Sequence, residues 1–382
     1  MLKLLLGRAG AGKTTAVLNR LCQRGQERPQ VLLVPEQQSH ETERALCAVG
    51  GPQASLYAEV LSFSRLANRV FQAAGGLGEE ELDGGGRLLL MYRAARNVAP
   101  SLTVYARPSK RPAFLTSLLA TADELKSCCV PPQALVQAGR DSPGLEGDKL
   151  RDLGLIFGEY DALTAQTALD PRDRLTRAAD KLRECGWARG KDIWLDGFTD
   201  FTPQQGELLR ILMAQGNSMT VTLTCDHLEE DEGGTGIFSP ARRTAAMLLR
   251  LAGKERMDCE VEHLAVPCTG KAEPLVYLET NLFAGDNPAS IPGGGAVELF
   301  QASTLRGEVE WAAARCLQLV REPLPGYRLG CPLLWRLPGF GGVGVRAVRG
   351  AGVFLRHDGY FGETGAGPGH RRPGHGGQRL PL

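Results

Sequence analysis

The segment GRAGAGKT, Gly7 to Thr14, carries the spacing G-x-x-x-x-G-K followed by a hydroxyl residue, the pattern of a loop that wraps phosphate groups. Gly7, Gly10 and Gly12 let the backbone turn tightly and aim its N–H groups inward, and Arg8, Ala9 and Ala11 lend their amides to the same cradle. Lys13 supplies a point charge for the β- and γ-phosphates, and Thr14 a hydroxyl ligand for Mg2+. Thr15 continues into a helix whose N-terminal dipole favours an anion. Residues 7 to 15 are therefore ATP-binding candidates. Such a loop implies nucleotide binding and leaves the outcome open, because kinases, motors, switches and scaffolds all use it.

A second stretch, DIWLDGFTDFTPQQ (Asp192 to Gln205), reads as a buried strand that delivers Asp196, placed to hold the Mg2+ water shell opposite Thr14. Enzymes that hydrolyse nucleotide with such a loop usually follow this aspartate with a glutamate that handles the attacking water. Here Gly197 stands in that place. Asp200, three residues on, is a possible substitute that leaves from a different point on the turn. A purely structural account has Asp196 capping that turn. The expectation is ATP binding with little or no hydrolysis by this site alone, and no catalytic residue is assigned.

The elements that must position these residues show in the apolar pattern. Leu2–Leu6, Val31–Pro35 and Val60–Phe63 are short apolar runs, each followed by helical spacing. Strands alternating with helices predict an α/β fold with a parallel sheet. From about residue 79 to 189 strand runs are absent and amphipathic helices take over, RLLLMYRAARNVA and KLRDLGLIFGEYDALTAQTA among them. Strands return at DIWLDGF, MTVTLTCD (Met219–Asp226) and AVELFQAS (Ala296–Ser303). The last precedes a helix over Gly307–Glu322.

The net charge of +1 confines any nucleic-acid contact to a local patch. The 10 cysteines include no C-x-x-C pair, which speaks against zinc and thioredoxin-like sites and fits reduced thiols. No stretch approaches the roughly 18 apolar residues of a membrane span, and no signal peptide is visible, so a soluble, cytoplasmic protein is expected.

In order, GRAGAGKT, LLVPEQQSHETERAL, VLSFSRLANRV, DIWLDGFTDFTPQQGELLRIL, IFSPARRTAAMLLRLA and RGEVEWAAARCLQLVRE span roughly residues 1–322. This ordered set resembles superfamily 1 helicases and, within them, the AddB-type subunits of helicase/nucleases that process DNA double-strand breaks. The resemblance implies a P-loop, RecA-like domain in two segments, 1–78 and 190–290. A helical insertion over 79–189 and the start of a second motor-like unit over 291–322 complete it. It further implies ATP and Mg2+ as cofactors, an AddA-type partner in a heterodimer, and single-stranded or duplex-end DNA. By the same resemblance Gln37, Ser62, Phe63, Ser64 and Arg65 are DNA-binding candidates. An aromatic and an arginine at a strand end suit base stacking and phosphate contact. Core packing by Phe63 competes with that role. The basic turn SPARRT (Ser239–Thr244) is either a solvated helix start or a phosphate contact.

The family's nuclease domain and four-cysteine iron–sulfur cluster are not expected in this polypeptide, whose cysteines lack such spacing. Residues 323–382 hold sixteen glycines, eight arginines, no lysine and two acids, Asp358 and Glu363, in a pattern that could not bury a core. A flexible arm, a basic nucleic-acid tail and an out-of-frame stretch of a G+C-rich gene are the three accounts of it. Two other functions compete with the helicase-derived one. A small-molecule kinase would need an arginine-bearing lid and an acid near its acceptor. A nucleotide-independent scaffold would ignore MgATP.

Overall fold

The computed structural model describes residues 1–107, 111–229, 236–264, 272–281, 290–292, 297, 300–321, 343–346 and 354–357. The chain divides into two units, Met1–Pro288 and Ala289–Leu382. In the first, β1 (Leu2–Gly7), α1 (Lys13–Arg24), β2 (Gln30–Leu33), α2 (Ser39–Gly50), β3 (Ala58–Leu61) and α3 (Phe63–Ala74) alternate as the pattern predicts. Four helices follow without a strand: α4 (Gly84–Val98), α5 (Pro112–Ser127), α6 (Pro132–Asp141) and α7 (Gly144–Thr167). Then come α8 (Arg174–Cys185), β4 (Asp192–Leu195), α9 (Pro203–Gln215), β5 (Ser218–Thr224), α10 (Ser239–Lys254), β6 (Cys259–His263) and α11 (Glu273–Asn281).

The six strands form one parallel sheet in the order β3-β2-β4-β5-β1-β6, so the α/β class read from the sequence holds. Alternation along each strand sends side chains to two separate cores. Leu2, Leu4, Leu6, Val31, Leu33, Ile193, Leu195, Met219, Val221 and Leu223 share one face with α3, α8, α9 and α10. Leu5, Leu32, Val60 and Trp194 share the other with Val17, Leu18 and Leu21 of α1 and Leu46 of α2. A sheet covered on both faces needs apolar residues at successive positions, which is why these strands read as continuous runs. β6 departs from that rule: CEVEH carries no apolar run and is mostly exposed. Edge strands need only one paired side, and charge on them discourages further pairing.

The helical segment has its own core, in which Leu90, Met91 and Ala94 of α4 meet Leu115 and Leu118 of α5 and Ile156, Phe157 and Tyr160 of α7. It closes at a neck where the chain leaves and returns. There the Leu82 amide donates to the Leu169 carbonyl (2.9 Å) and the Leu169 amide to the Glu80 carbonyl (3.0 Å). Beside the neck, the buried Asp170 pairs with Arg87 (3.1 Å) and accepts from the Tyr160 hydroxyl (2.9 Å) and the Arg172 amide (3.0 Å). Burial works against its charge, but these donors and the nearby Lys126 outweigh burial and hold the carboxyl below its ordinary pKa. α8, read from the sequence with the insertion, instead places Ala178, Ala179 and Leu182 in the α/β core.

In the second unit α12 (Leu305–Arg321) forms close to the predicted helix, and its Trp311 stacks on Phe300 with centroids 4.4 Å apart. The predicted strand over Ala296–Ser303 lies partly outside the described residues, and Val297 and Phe300–Ser303 are not in a strand. Within 323–382 the described residues are two strands, β7 (Val343–Arg346) and β8 (Phe354–His357), paired antiparallel. The rest of that segment lies outside the described residues.

A polar knot ties down the other end of the sheet. Asp192, 1% exposed, accepts from the Ser218 hydroxyl (2.6 Å) and the Asn217 amide (2.7 Å) and pairs with Arg24 (2.8 Å), whose guanidinium lies over the Trp194 ring. Burial pushes its pKa up, but these partners push it further down, leaving the carboxyl below its usual value. A depressed carboxyl stabilises the fold above the unfolded value of about 4 and loses that contribution as pH falls through the folded one. Asp192→Ala is expected to cost about 2–3 kcal/mol in urea unfolding at pH 7, less than a fully buried pair because Arg24 is part-exposed. The difference between variant and parent should begin to shrink below about pH 4, where the unfolded carboxyl protonates, and should be lost as pH falls through the lower folded value.

Candidate functional site

The parallel register brings the carboxyl ends of β1, β4 and β5 to one edge. Gly7 lies opposite Thr224, Leu195 opposite Val221, and Leu33 opposite Leu195. Ligands of open α/β sheets bind outside this edge. The phosphate-type loop leaves β1 here and enters α1. Gly10 and Gly12 have φ of 78° and 79°, the left-handed region open to glycine, and a Cβ added at Gly7 would sit 3.0 Å from Cβ of Ala11. Nothing lies within 4 Å of a Cβ built on Gly12, so space is open over the helix start. α1 has no side-chain cap and no acid in its first turn, leaving its first amides available to an anion. Lys13 curls back so that its ammonium donates to the carbonyls of Gly7 (2.6 Å) and Arg8 (2.9 Å).

The structure brings Thr14 and Asp196 together: the Thr14 hydroxyl donates to Asp196 Oδ2 at 2.6 Å. The other carboxylate oxygen accepts from Thr222 Oγ1 at 2.5 Å, and the Asp196 amide donates to the Leu33 carbonyl at 3.0 Å. With one donor per oxygen and the main chain fixed, this carboxylate has a single orientation. Thr222 was missed from sequence. The available signal was the alternation Thr220, Thr222, Thr224 along β5, of which the first two are buried. Buried strand hydroxyls need partners. Among the described residues no group of three or more His, Cys, Asp or Glu could hold a metal. One hydroxyl and one carboxylate suit Mg2+, which takes few protein ligands and completes its shell with phosphate and water.

Gly197 has φ of 80°, and a Cβ added there would lie 2.5 Å from Oε1 of Gln38 and 3.4 Å from Nε2. The position that lacks a carboxylate thus also has a left-handed backbone with a glutamine amide laid against it. Past it, Phe198 turns inward. Its ring meets Phe63 at 5.5 Å and Phe201 at 5.0 Å between centroids, and Thr244 donates to the Thr199 carbonyl at 2.9 Å. Asp200 is exposed and accepts from Thr199; among the described residues it has no hydrogen bond or ion pair to the phosphate-type loop. The following helix α9 is capped by Thr202 and Gln205 in a reciprocal box, and among the described residues the donors to the Asp196 carboxylate are Thr14 and Thr222, not an amide of the turn after it.

The other predicted residues sort by exposure. β3 ends at Leu61, so SFSR opens a helix instead of finishing a strand. Ser62, 1% exposed, caps α3 by accepting from the Arg65 amide (3.3 Å). Phe63 is 6% exposed and edge-on to Phe198 and Phe201, the packing role of the two weighed for it. Ser64, Arg65 and Gln37 face solvent, with Arg65 paired to Glu43 at 2.5 Å. Thr15 and Ala9 are exposed. Arg8 reaches Asp226 (3.5 Å) and the Glu279 carbonyl (3.4 Å) and lies over the Phe238 ring. In the basic turn, Arg242 is 5% exposed and donates to Asp226 Oδ1 (3.1 Å) and the His227 carbonyl (3.1 Å), an internal brace.

A family model described as "ADDB, N-terminal" matches residues 4–279. Over 330 residues the chain is 32% identical to the B subunit of the ATP-dependent helicase/deoxyribonuclease of Thermoanaerobacter sp. (strain X514), covering 84% of this chain and 29% of that protein. The protein of the same name from Desulforudis audaxviator is 34% identical over 333 residues, 84% of this chain and 29% of its own length. That from Pelotomaculum thermopropionicum is 32% identical over 369 residues, 93% and 32% of the two chains. The chain therefore spans about a third or less of these relatives. At Gly197, replacement by Ala forces a left-handed φ on an L side chain and crowds Gln38. It should lower unfolding free energy by about 1–2 kcal/mol, read as a shift in the urea midpoint without a change in slope.

Proposed function

Because the chain belongs to the AddB N-terminal family, we propose that it is the nucleotide-binding, helicase-like portion of an AddB-type helicase/nuclease subunit acting in DNA double-strand break repair and recombination. ATP would lie on residues 7–15, with its Mg2+ held by Thr14 and Asp196. The observation that carries this is the 2.6 Å hydrogen bond from Thr14 to Asp196, which joins the loop's hydroxyl to the strand-end carboxylate at an uncapped helix start. The loop glycines, the bare first turn of α1 and the open space at Gly12 are the features a triphosphate needs. Bound Mg2+ would neutralise phosphate charge. The protein's own part is to fix Asp196 through Thr222 and to offer Lys13, which must leave the Gly7 and Arg8 carbonyls to meet the phosphates.

Hydrolysis by this portion alone is not expected. Gly197 carries no base, and loss of a positioned base typically costs 10²–10⁴-fold in rate, on the order of the whole effect of such a group. Single-stranded DNA would run along the same sheet edge, touched by the solvent-facing Gln37, Ser64 and Arg65, with Ser62 and Phe63 shaping the edge from beneath. An AddA-type partner would supply the motor.

MgATP at about 100 times its Kd should stabilise the protein by about 2.7 kcal/mol, seen as a rise in Tm, and Lys13→Ala should abolish most of that rise. No shift with either protein would remove the nucleotide reading and favour a scaffold. Turnover of ATP should stay at background with or without single-stranded DNA. Gly197→Glu should leave it there, because the turn it enters is left-handed and occupied by Gln38. Brisk hydrolysis from that one change, or turnover stimulated by a small acceptor and indifferent to DNA, would overturn this assignment.

A further inference from the structure

The segment after β2, Pro35 to Gln38, forms a single tight turn with the Gln38 amide donating to the Pro35 carbonyl at 2.9 Å. That turn delivers the Gln38 side chain to Gly197, where its terminal amide fills the place into which a side chain at residue 197 would project. Gln38 is exposed, and among the described residues its side-chain amide has no hydrogen-bond partner. An uncommitted amide therefore stands one residue beyond Asp196, whose carboxylate is locked onto Thr14 and Thr222.

The chemistry of the exchange matters more than the loss. A carboxylate here would only accept hydrogen bonds and would repel both Asp196 and a terminal phosphate. An amide carries two N–H donors and no charge, and half a turn about its last torsion presents nitrogen where oxygen stood. Glycine at 197 is what makes room for it, since a Cβ would collide with the amide oxygen at 2.5 Å. Gly197 and Gln38 thus work as a pair, one vacating a site for a base and the other filling it with a donor.

We propose that the Gln38 side-chain amide, seated against Gly197, binds the terminal phosphate and makes this site discriminate a nucleoside triphosphate from a diphosphate. The proposal rests on the nucleotide reading given above, and it assigns the site a sensing role where hydrolysis is absent. Equilibrium binding of MgATP and MgADP by the full chain, followed by calorimetry, tests it. The parent should bind MgATP about tenfold or more tighter than MgADP, the scale of one hydrogen bond to a charged group. Gln38→Ala should bring the two Kd values within about twofold of each other by weakening MgATP, with MgADP little moved, which also shows that the variant is folded. Gln38→Glu, which sets an acceptor-only charge against the phosphate, should make MgADP the tighter ligand. An ATP-to-ADP ratio unchanged in Gln38→Ala, or a parent that binds both alike, would overturn the role of Gln38 and leave nucleotide binding intact. Binding of neither nucleotide by the parent would overturn the underlying reading and this inference with it.

Discussion

The candidate site depends on one carboxylate held between two hydroxyls. Asp196 emerges from β4 with Thr222 of the neighbouring strand on one oxygen and Thr14 of the phosphate-type loop on the other. Short bonds to an ionised acceptor are about twice as strong as neutral ones. They join three separate parts of the chain at the sheet edge. The sheet order makes this possible, because β5 lies between β1 and β4 and supplies the intermediate hydroxyl. The two apolar cores hold the strands in register, and that register brings residues 14, 196 and 222 within reach. Without it the loop would be a glycine-rich turn with nothing opposite its hydroxyl.

Gly197 illustrates how one residue answers to two constraints at once. Read as a sequence, it is a missing carboxylate. In the fold it is also a left-handed hinge that swings Phe198 into the aromatic cluster with Phe63 and Phe201 and leaves Asp200 outside. A side chain at 197 would strain the backbone and displace Gln38 together. The chemistry and the packing of this turn therefore change together or not at all.

What was legible in the sequence follows from how local each signal is. The phosphate-type loop, the five buried strands of the sheet and the helices α4, α5, α7 and α8 show through spacing over a few residues, and these elements formed. α6 was not read, and the strand expected over Ala296–Ser303 is absent at its described residues. Ser62 and Phe63 lay at the limit of that method. Whether the strand runs to Phe63 or stops at Leu61 decides whether a hydroxyl faces a ligand or caps a helix, and the local apolar pattern suits both. β6 could not be read because an edge strand of alternating charge has no apolar run; only its pairing with β1 reveals it. The turn around Arg242 reads as a solvated helix start or a phosphate contact because the partners of that arginine, Asp226 and His227, lie fifteen or so residues earlier. Gln38 was invisible for the same reason: its significance lies wholly in a contact with a residue far along the chain.

The neck of the helical segment has a consequence for how the sheet tolerates so large an interruption. Loop-closure entropy grows with the length of chain between two fixed points. Here those points are stitched to each other at Glu80–Leu82 and Leu169, with Asp170 and Arg87 riveted beside them. The entropy of closing the chain between β3 and β4 is therefore set by this short neck and not by the length of the helices beyond it. The segment is also held at its side, where α5 touches α9 and Lys126 pairs with Asp173 at 2.6 Å, so the sheet has both a clasp and a brace.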